Sequence, residues 1–100
     1  MRNGVTVTMH VFEGYRDALE AFLSQNIGRF YVYELCRPNG EVFYVGKGMN
    51  RRVIEHELEA IRHHPIGESN PFKCNVIRQV LNDRHRIKYR IDRLYEAADE

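Results

Sequence analysis

Two aromatic, β-branched runs joined by Arg37-Pro38-Asn39-Gly40 constrain this chain more than any other stretch. Residues 30–36 read FYVYELC and residues 41–48 read EVFYVGKG. Side chains of this kind suit a pleated, half-buried surface. Asn-Gly is the strongest short hairpin signal, because both central residues of its turn take positive φ. An antiparallel hairpin over 30–47 is therefore predicted, with Gly46 and Gly48 ending its second strand in a loop. Alternation places Tyr31 and Tyr33 on one face and Phe30 and Val32 on the other.

The flanking segments change period. From Gly14 to Asn26, Ala18, Leu19, Phe22 and Leu23 share one helical face, and Gly28 stops the helix. Before it, Val5, Val7, Met9 and Val11 alternate with polar residues, which suits either a strand or a loose arm. A second helix is predicted from about Asn50, in the N-cap position, to His63, with Val53, Ile54, Leu58 and Ile61 buried. Pro65 and Gly67 break it. A third helix over Pro71–Asn82 turns Val76, Ile77, Val80 and Leu81 inward, with Pro71 in its first turn. Arg86 to Asp92 alternates strictly, a strand with Ile87, Tyr89 and Ile91 facing the core. Tyr95 to Glu100 reads as the start of one more helix. This order predicts an α+β fold, a small three-stranded, mostly antiparallel sheet flanked by helices. Residues 1–28 form an N-terminal arm and helix, and residues 29–100 form the domain proper.

Composition removes several alternatives. At 100 residues, 43% hydrophobic and 29% charged, the chain is sized for one globular domain and is not a disordered tail or coiled coil. No apolar run approaches the roughly 18 residues of a membrane span, and the first residues do not read as a signal peptide. Cys36 and Cys74 lack metal-ligand spacing, which predicts reduced thiols and a cytoplasmic protein. Net charge is only +1, yet residues 51–93 hold ten Lys/Arg against six Asp/Glu and four of the five histidines. That segment, including Lys73, Arg78, Arg86 and Lys88, is either an ordinary solvated surface or a face for phosphate backbones.

Some of these residues could carry chemistry. An ammonium beside a phenol favours the phenolate, so Lys47 near the hairpin tyrosines makes a proton acceptor conceivable. Glycines on both sides of Lys47 let a phosphate approach the backbone. Arg52 and His56 are four apart and share a helical face, with Arg51 on another. An arginine near a helix N-terminus after a strand can clamp a phosphate through two parallel hydrogen bonds. Aromatic strand residues are equally at home in a core.

Taken together, Tyr31-Val32-Tyr33, ten residues, Tyr44-Val45-Gly46-Lys47-Gly48, then Arg52 and His56 resemble the GIY-YIG nuclease superfamily. The block FYVGKG followed by Arg52-Val53 and His56 is most similar to the subgroup of LEM-domain and ankyrin-repeat nucleases and their bacterial relatives. The resemblance spans about residues 30–100. It implies a metal-dependent endonuclease acting on DNA, with Tyr33 as general base and Tyr44 opposite it as the alternative. It further implies that Lys47 depresses the tyrosine pKa and touches the phosphate, that Arg52 stabilises the pentacovalent transition state, and that His56 orients water or a tyrosine. One divalent cation, Mg²⁺ or Mn²⁺, would polarise the phosphate. Tyr31, Gly46, Gly48, Arg51, Lys73 and Arg78 would contact nucleic acid. The family's metal-binding glutamate falls, in this register, just beyond residue 100, with Glu100 as the nearest stand-in. Two other readings remain open: a nucleic-acid-binding module of the same fold with an incomplete metal site, and a small protein-interaction domain whose aromatics are only core.

Overall fold

The computed structural model describes residues 10–62 and 70–96. Among these the elements run β1 (Phe12–Gly14), α1 (Arg16–Ser24), β2 (Phe30–Cys36), β3 (Val42–Met49), α2 (Arg52–Arg62), α3 (Pro71–Asn82) and β4 (Lys88–Tyr95). The α+β class is as expected. The sheet has four strands rather than three, in the order β1-β4-β2-β3, every neighbouring pair antiparallel. The added strand is short and pairs Phe12 with Ile91 and Gly14 with Tyr89. Three residues ending in glycine carry no alternation to read, and the strand exists because β4 offers it an edge. The alternation over Val5 to Met9 lies outside the described residues.

The hairpin forms where the aromatic runs predict it, but with another turn. Gly40 has φ 95° and Asn39 is not left-handed. Gly40 N–H donates to the Arg37 carbonyl at 2.8 Å, and Arg37 N–H donates to that of Glu41 at 2.8 Å. Pro38 and Asn39 are thus the central pair of a turn closed by a left-handed glycine, the three-residue hairpin pattern. The Asn39 side chain accepts from Glu41 N–H at 2.9 Å. Strand β3 does not stop at Gly46 but pairs as far as Met49 opposite Phe30. Strand β4 likewise runs on through Tyr95, opposite Phe30, where a helix start was expected. Val32 pairs with Arg93 and Tyr33 with Ile91, so Asp92 is the extra residue of a β-bulge.

One sheet face carries Tyr31, Tyr33, Leu35, Tyr89 and Ile91, all buried against helix residues such as Leu19, Leu23, Ile54 and Ile77. On α1, Ala18 is exposed rather than packed. On α2, Val53 and Ile54 are buried as predicted, but Leu58 and Ile61 are exposed and Ala60 is inward. The inward stripe is rotated because Glu57 sits in it, held by the Tyr89 hydroxyl and by Arg16 at 3.6 Å. Asn50 is no N-cap. It is left-handed at φ 55° and its side chain accepts from Gly28 N–H at 2.9 Å. Tyr31 does the capping: its hydroxyl accepts from Val53 N–H at 3.2 Å and donates to the Asn50 carbonyl at 2.7 Å. Helix α3 begins as predicted, with Asn70 accepting from Lys73 N–H and Pro71 in the first turn.

Candidate active site

Strand alternation sets the site. In β3, Tyr44, Gly46 and Gly48 pair with Leu35, Tyr33 and Tyr31 and so share the helix-covered face. A side chain at Gly46 would start 2.6 Å from the Tyr33 hydroxyl, and one at Gly48 would start 3.0 Å from Arg52 Cβ. These glycines therefore make room for the Tyr33 ring and the Arg52 stem. On the Cβ side of both glycines, protein atoms occupy the space.

Above the glycines, α2 brings His56 over the tyrosines. Its ring centroid is 4.9 Å from that of Tyr44 and 5.6 Å from that of Tyr33. The Tyr33 hydroxyl shares a short hydrogen bond with His56 Nε2. On the other side, Nζ of Lys73 lies 2.8 Å from His56 Nδ1, 3.1 Å from Glu59 Oε1 and 5.3 Å from the Tyr44 ring centroid. An ammonium has donors only, so Lys73 donates to Nδ1. The imidazole proton then sits on Nε2 and points at the Tyr33 oxygen. That leaves the Tyr33 hydroxyl hydrogen to turn toward Tyr44, whose ring centroid is 6.2 Å from that of Tyr33.

The electrostatics follow from burial. His56 is pushed down to about 4, by burial first and by the Lys73 charge second, so the ring is neutral near pH 7. Burial pushes the Tyr33 hydroxyl well above its ordinary range, Tyr44 and Tyr31 push it further, and Arg52 opposes them. This corrects the expectation of a Tyr33 hydroxyl depressed by Lys47. Tyr33 is only 2% exposed, whereas Tyr44 and His56 are partly exposed. Tyr44 thus holds the solvent side of the pair and Tyr33 backs it.

Lys47 and Arg52 are both exposed and line one cleft of about 630 Å³ where β3 runs into α2, together with Phe30, Asn50, Arg51 and Glu55. Lys47 pairs with Val32 in the sheet register, on the face away from Tyr44. The Arg52 guanidinium acts on both Tyr33 and His56, and its Nε lies 3.9 Å from Glu55 Oε1. Arg51 lines the cleft while paired with Glu20 at 2.8 Å.

Two expected nucleic-acid contacts are structural instead. Tyr31 is 1% exposed and caps α2. Lys73 is 1% exposed and belongs to the His56 tier. Arg78 donates to the Ala60 carbonyl at 3.1 Å, securing the last turn of α2. Arg86 packs on the Tyr15 ring and Lys88 pairs with Glu13 at 3.6 Å. Glu100 lies outside the described residues. The sequence points to Lys73 as a nucleic-acid contact rather than as a partner of His56, and it does not single out Glu59. A signal existed for Lys73: it precedes Val76 and Ile77 by three and four residues, in line with the apolar stripe of α3.

Cys36 and Cys74 are buried and not disulfide-bonded, and no helix among the described residues is long and apolar enough to cross a membrane. No family model, no curated protein and no solved structure matches the chain.

Proposed function

We propose that this chain is a metal-dependent endonuclease that hydrolyses DNA phosphodiester bonds. The observation that carries the reading is the tier Lys73–His56–Tyr33–Tyr44, with the Arg52 guanidinium acting on it from the adjoining cleft. A buried lysine, a neutral histidine and two tyrosines in line make an arrangement that a mere hydrophobic core does not need.

In this reading the scissile phosphate lies against Arg52 at the rim of the cleft, on the side of the Tyr33–His56 tier. The Arg52 fork matches two phosphate oxygens and stabilises the charge that develops at phosphorus. Such stabilisation contributes about 3–4 kcal/mol per well-placed donor in a dry site. Tyr44, as phenolate, takes the proton of the attacking water, and the Tyr33 hydroxyl donates to it. The water oxygen bonds to phosphorus and the ester bond to the leaving oxygen breaks. His56 and Lys73 are positioning residues that fix which way the Tyr33 hydroxyl points. A hard dication fits the donor set sparingly: Glu55 is the carboxylate lining the cleft, its side chain 64% exposed. Mg²⁺ commonly takes one or two carboxylates and fills its remaining positions with phosphate oxygens and water. Glu55 would hold it, and its charge would offset that of the leaving oxygen.

The test is incubation of the chain with supercoiled plasmid and with branched DNA, in Mg²⁺, Mn²⁺ or EDTA. Nicking that needs the metal and falls at least about 100-fold in Tyr44→Phe and Arg52→Ala is expected. Salt-sensitive binding with no cutting under any metal would instead favour a nucleic-acid-binding module. Neither cutting nor binding would leave the aromatics as core.

A further inference from the structure

The other face of the sheet holds a second cluster that the proposed nuclease chemistry does not use. His10 precedes β1, Glu34 lies in β2, and Asp92 is the bulge residue of β4. One donor atom from each lies within 4.8 Å of the other two. His10 Nδ1 is 2.6 Å from Asp92 Oδ1. Glu34 Oε1 is buried and, among the described residues, has no hydrogen-bond partner. Arg90 approaches it only to 3.6 Å through Nη1, while its Nε is 3.2 Å from Glu13. Lys88 also turns to Glu13, at 3.6 Å.

Two carboxylates pressed together in a partly buried place need a cation or a shared proton between them. The bulge matters here. In an unbroken ladder neighbouring residues alternate faces, and the extra residue lets Asp92 join Glu34 and His10. Donors around a tetrahedral ion stand about 3.3 Å apart, which rotamer adjustment can reach from the observed separations. Two carboxylates neutralise a dication, and the imidazole selects a transition metal over Mg²⁺ or Ca²⁺.

We propose that His10, Glu34 and Asp92 bind one divalent transition-metal ion of the Zn²⁺ type, which fastens the segment before β1 to the sheet. The site joins positions 82 residues apart in the chain, and β1 itself is three residues long. A clip there holds an edge strand that its own ladder holds weakly. Because the cluster lies on the opposite face from Tyr33, it stands or falls independently of the nuclease reading.

Calorimetric titration of the EDTA-stripped chain with ZnCl₂ tests this. One equivalent should bind, with a melting-temperature rise of at least about 5 °C at tenfold excess over Kd. His10→Ala and Glu34→Gln should each weaken that binding at least about tenfold, while Arg52→Ala should bind Zn²⁺ as the parent does. Asp92→Asn replaces either variant if circular dichroism shows it unfolded. Binding in His10→Ala and Glu34→Gln within twofold of the parent, or no binding by the parent, overturns the proposal. An ordinary His10–Asp92 ion pair is what would then remain.

Discussion

Replacing Lys73 by methionine separates what the buried ammonium does for the fold from what it does for His56. The lysine is 1% exposed, with Nζ 2.8 Å from His56 Nδ1 and 3.1 Å from Glu59 Oε1. Methionine keeps an unbranched apolar stem of similar reach and removes the charge. It removes the ammonium that Glu59 meets and leaves the imidazole Nδ1 without its donor. Breaking a sealed ion pair from one side costs about 3–5 kcal/mol. The Glu59 side chain is 22% exposed, so water relieves part of that, and about 2–3 kcal/mol is expected. For a domain of this size that lowers Tm by about 10–20 °C. Adding Glu59→Leu removes the other end of the broken pair and should recover part of the loss. His56 supplies the second readout. Its pKa, about 4, should rise once the Lys73 charge is gone, yet stay below the ordinary value because burial, the larger cause, remains. Thermal denaturation and an NMR titration of the His56 ring measure the two effects. If Lys73→Met melts within about 2 °C of the parent and His56 titrates as before, the ammonium does not hold His56, and the tier on which the proposed function rests is wrong.

Other perturbations probe the surroundings. Gly46→Ala puts a methyl 2.6 Å from the Tyr33 hydroxyl in a ring that is 2% exposed, so overpacking should cost about 1–3 kcal/mol in urea denaturation; a neutral result would mean Tyr33 does not lie across β3. Tyr31→Phe removes the cap of α2 and leaves Val53 N–H and the Asn50 carbonyl unpartnered, for a loss of about 1–2 kcal/mol. Its test is amide exchange at Val53, which should speed up; unchanged protection would refute the capping role. Acid should weaken the fold through His56: the unfolded ring takes its proton near 6.5 and the folded one near 4. The unfolded state therefore binds more protons across that window, and stability present above pH 6.5 falls toward pH 4. The slope cannot exceed about 1.4 kcal/mol per pH unit and is smaller for a partly hydrated ring. Denaturation midpoints that do not fall between pH 6.5 and 4.5 would contradict a buried neutral His56.

What the sequence made legible was what local chemistry decides. The aromatic runs and a turn with Pro38 and Gly40 specify the hairpin, and Pro71 with Val76, Ile77 and Val80 specifies α3 from its first residue to its last. The Asn39-Gly40 pair predicts a two-residue turn, whereas the turn that forms has three residues and closes on Gly40. Pro38 holds φ negative at its own position, and only Gly40 takes the left-handed conformation. Strand β1 and the extension of β4 to Tyr95 were illegible because they are partner effects. Three residues pair only where an edge already exists, and Phe30 draws Tyr95 into the ladder from 65 positions away. The stripe of α2 was misphased for a related reason: Leu58 fits the apolar period, but Glu57 takes the inward slot because Tyr89 and Arg16 satisfy it there.

The same logic explains the site. Counting ten bases against six acids over 51–93 pictures a charged surface, but a count does not know its partners. Lys73 is buried because His56 and Glu59 meet it, Arg78 closes a helix end, Arg86 lies on Tyr15, and Lys88 leans on Glu13. The cations that line the cleft, Lys47, Arg51 and Arg52, come from the six residues that join a strand to a helix. A polar residue inside an apolar period is therefore the more informative signal. A lysine in line with Val76 and Ile77 cannot stay charged there unless something distant answers it. Here the answering groups are the histidine and glutamate of α2, and that pairing turns a packed sheet into a place where a proton can be held.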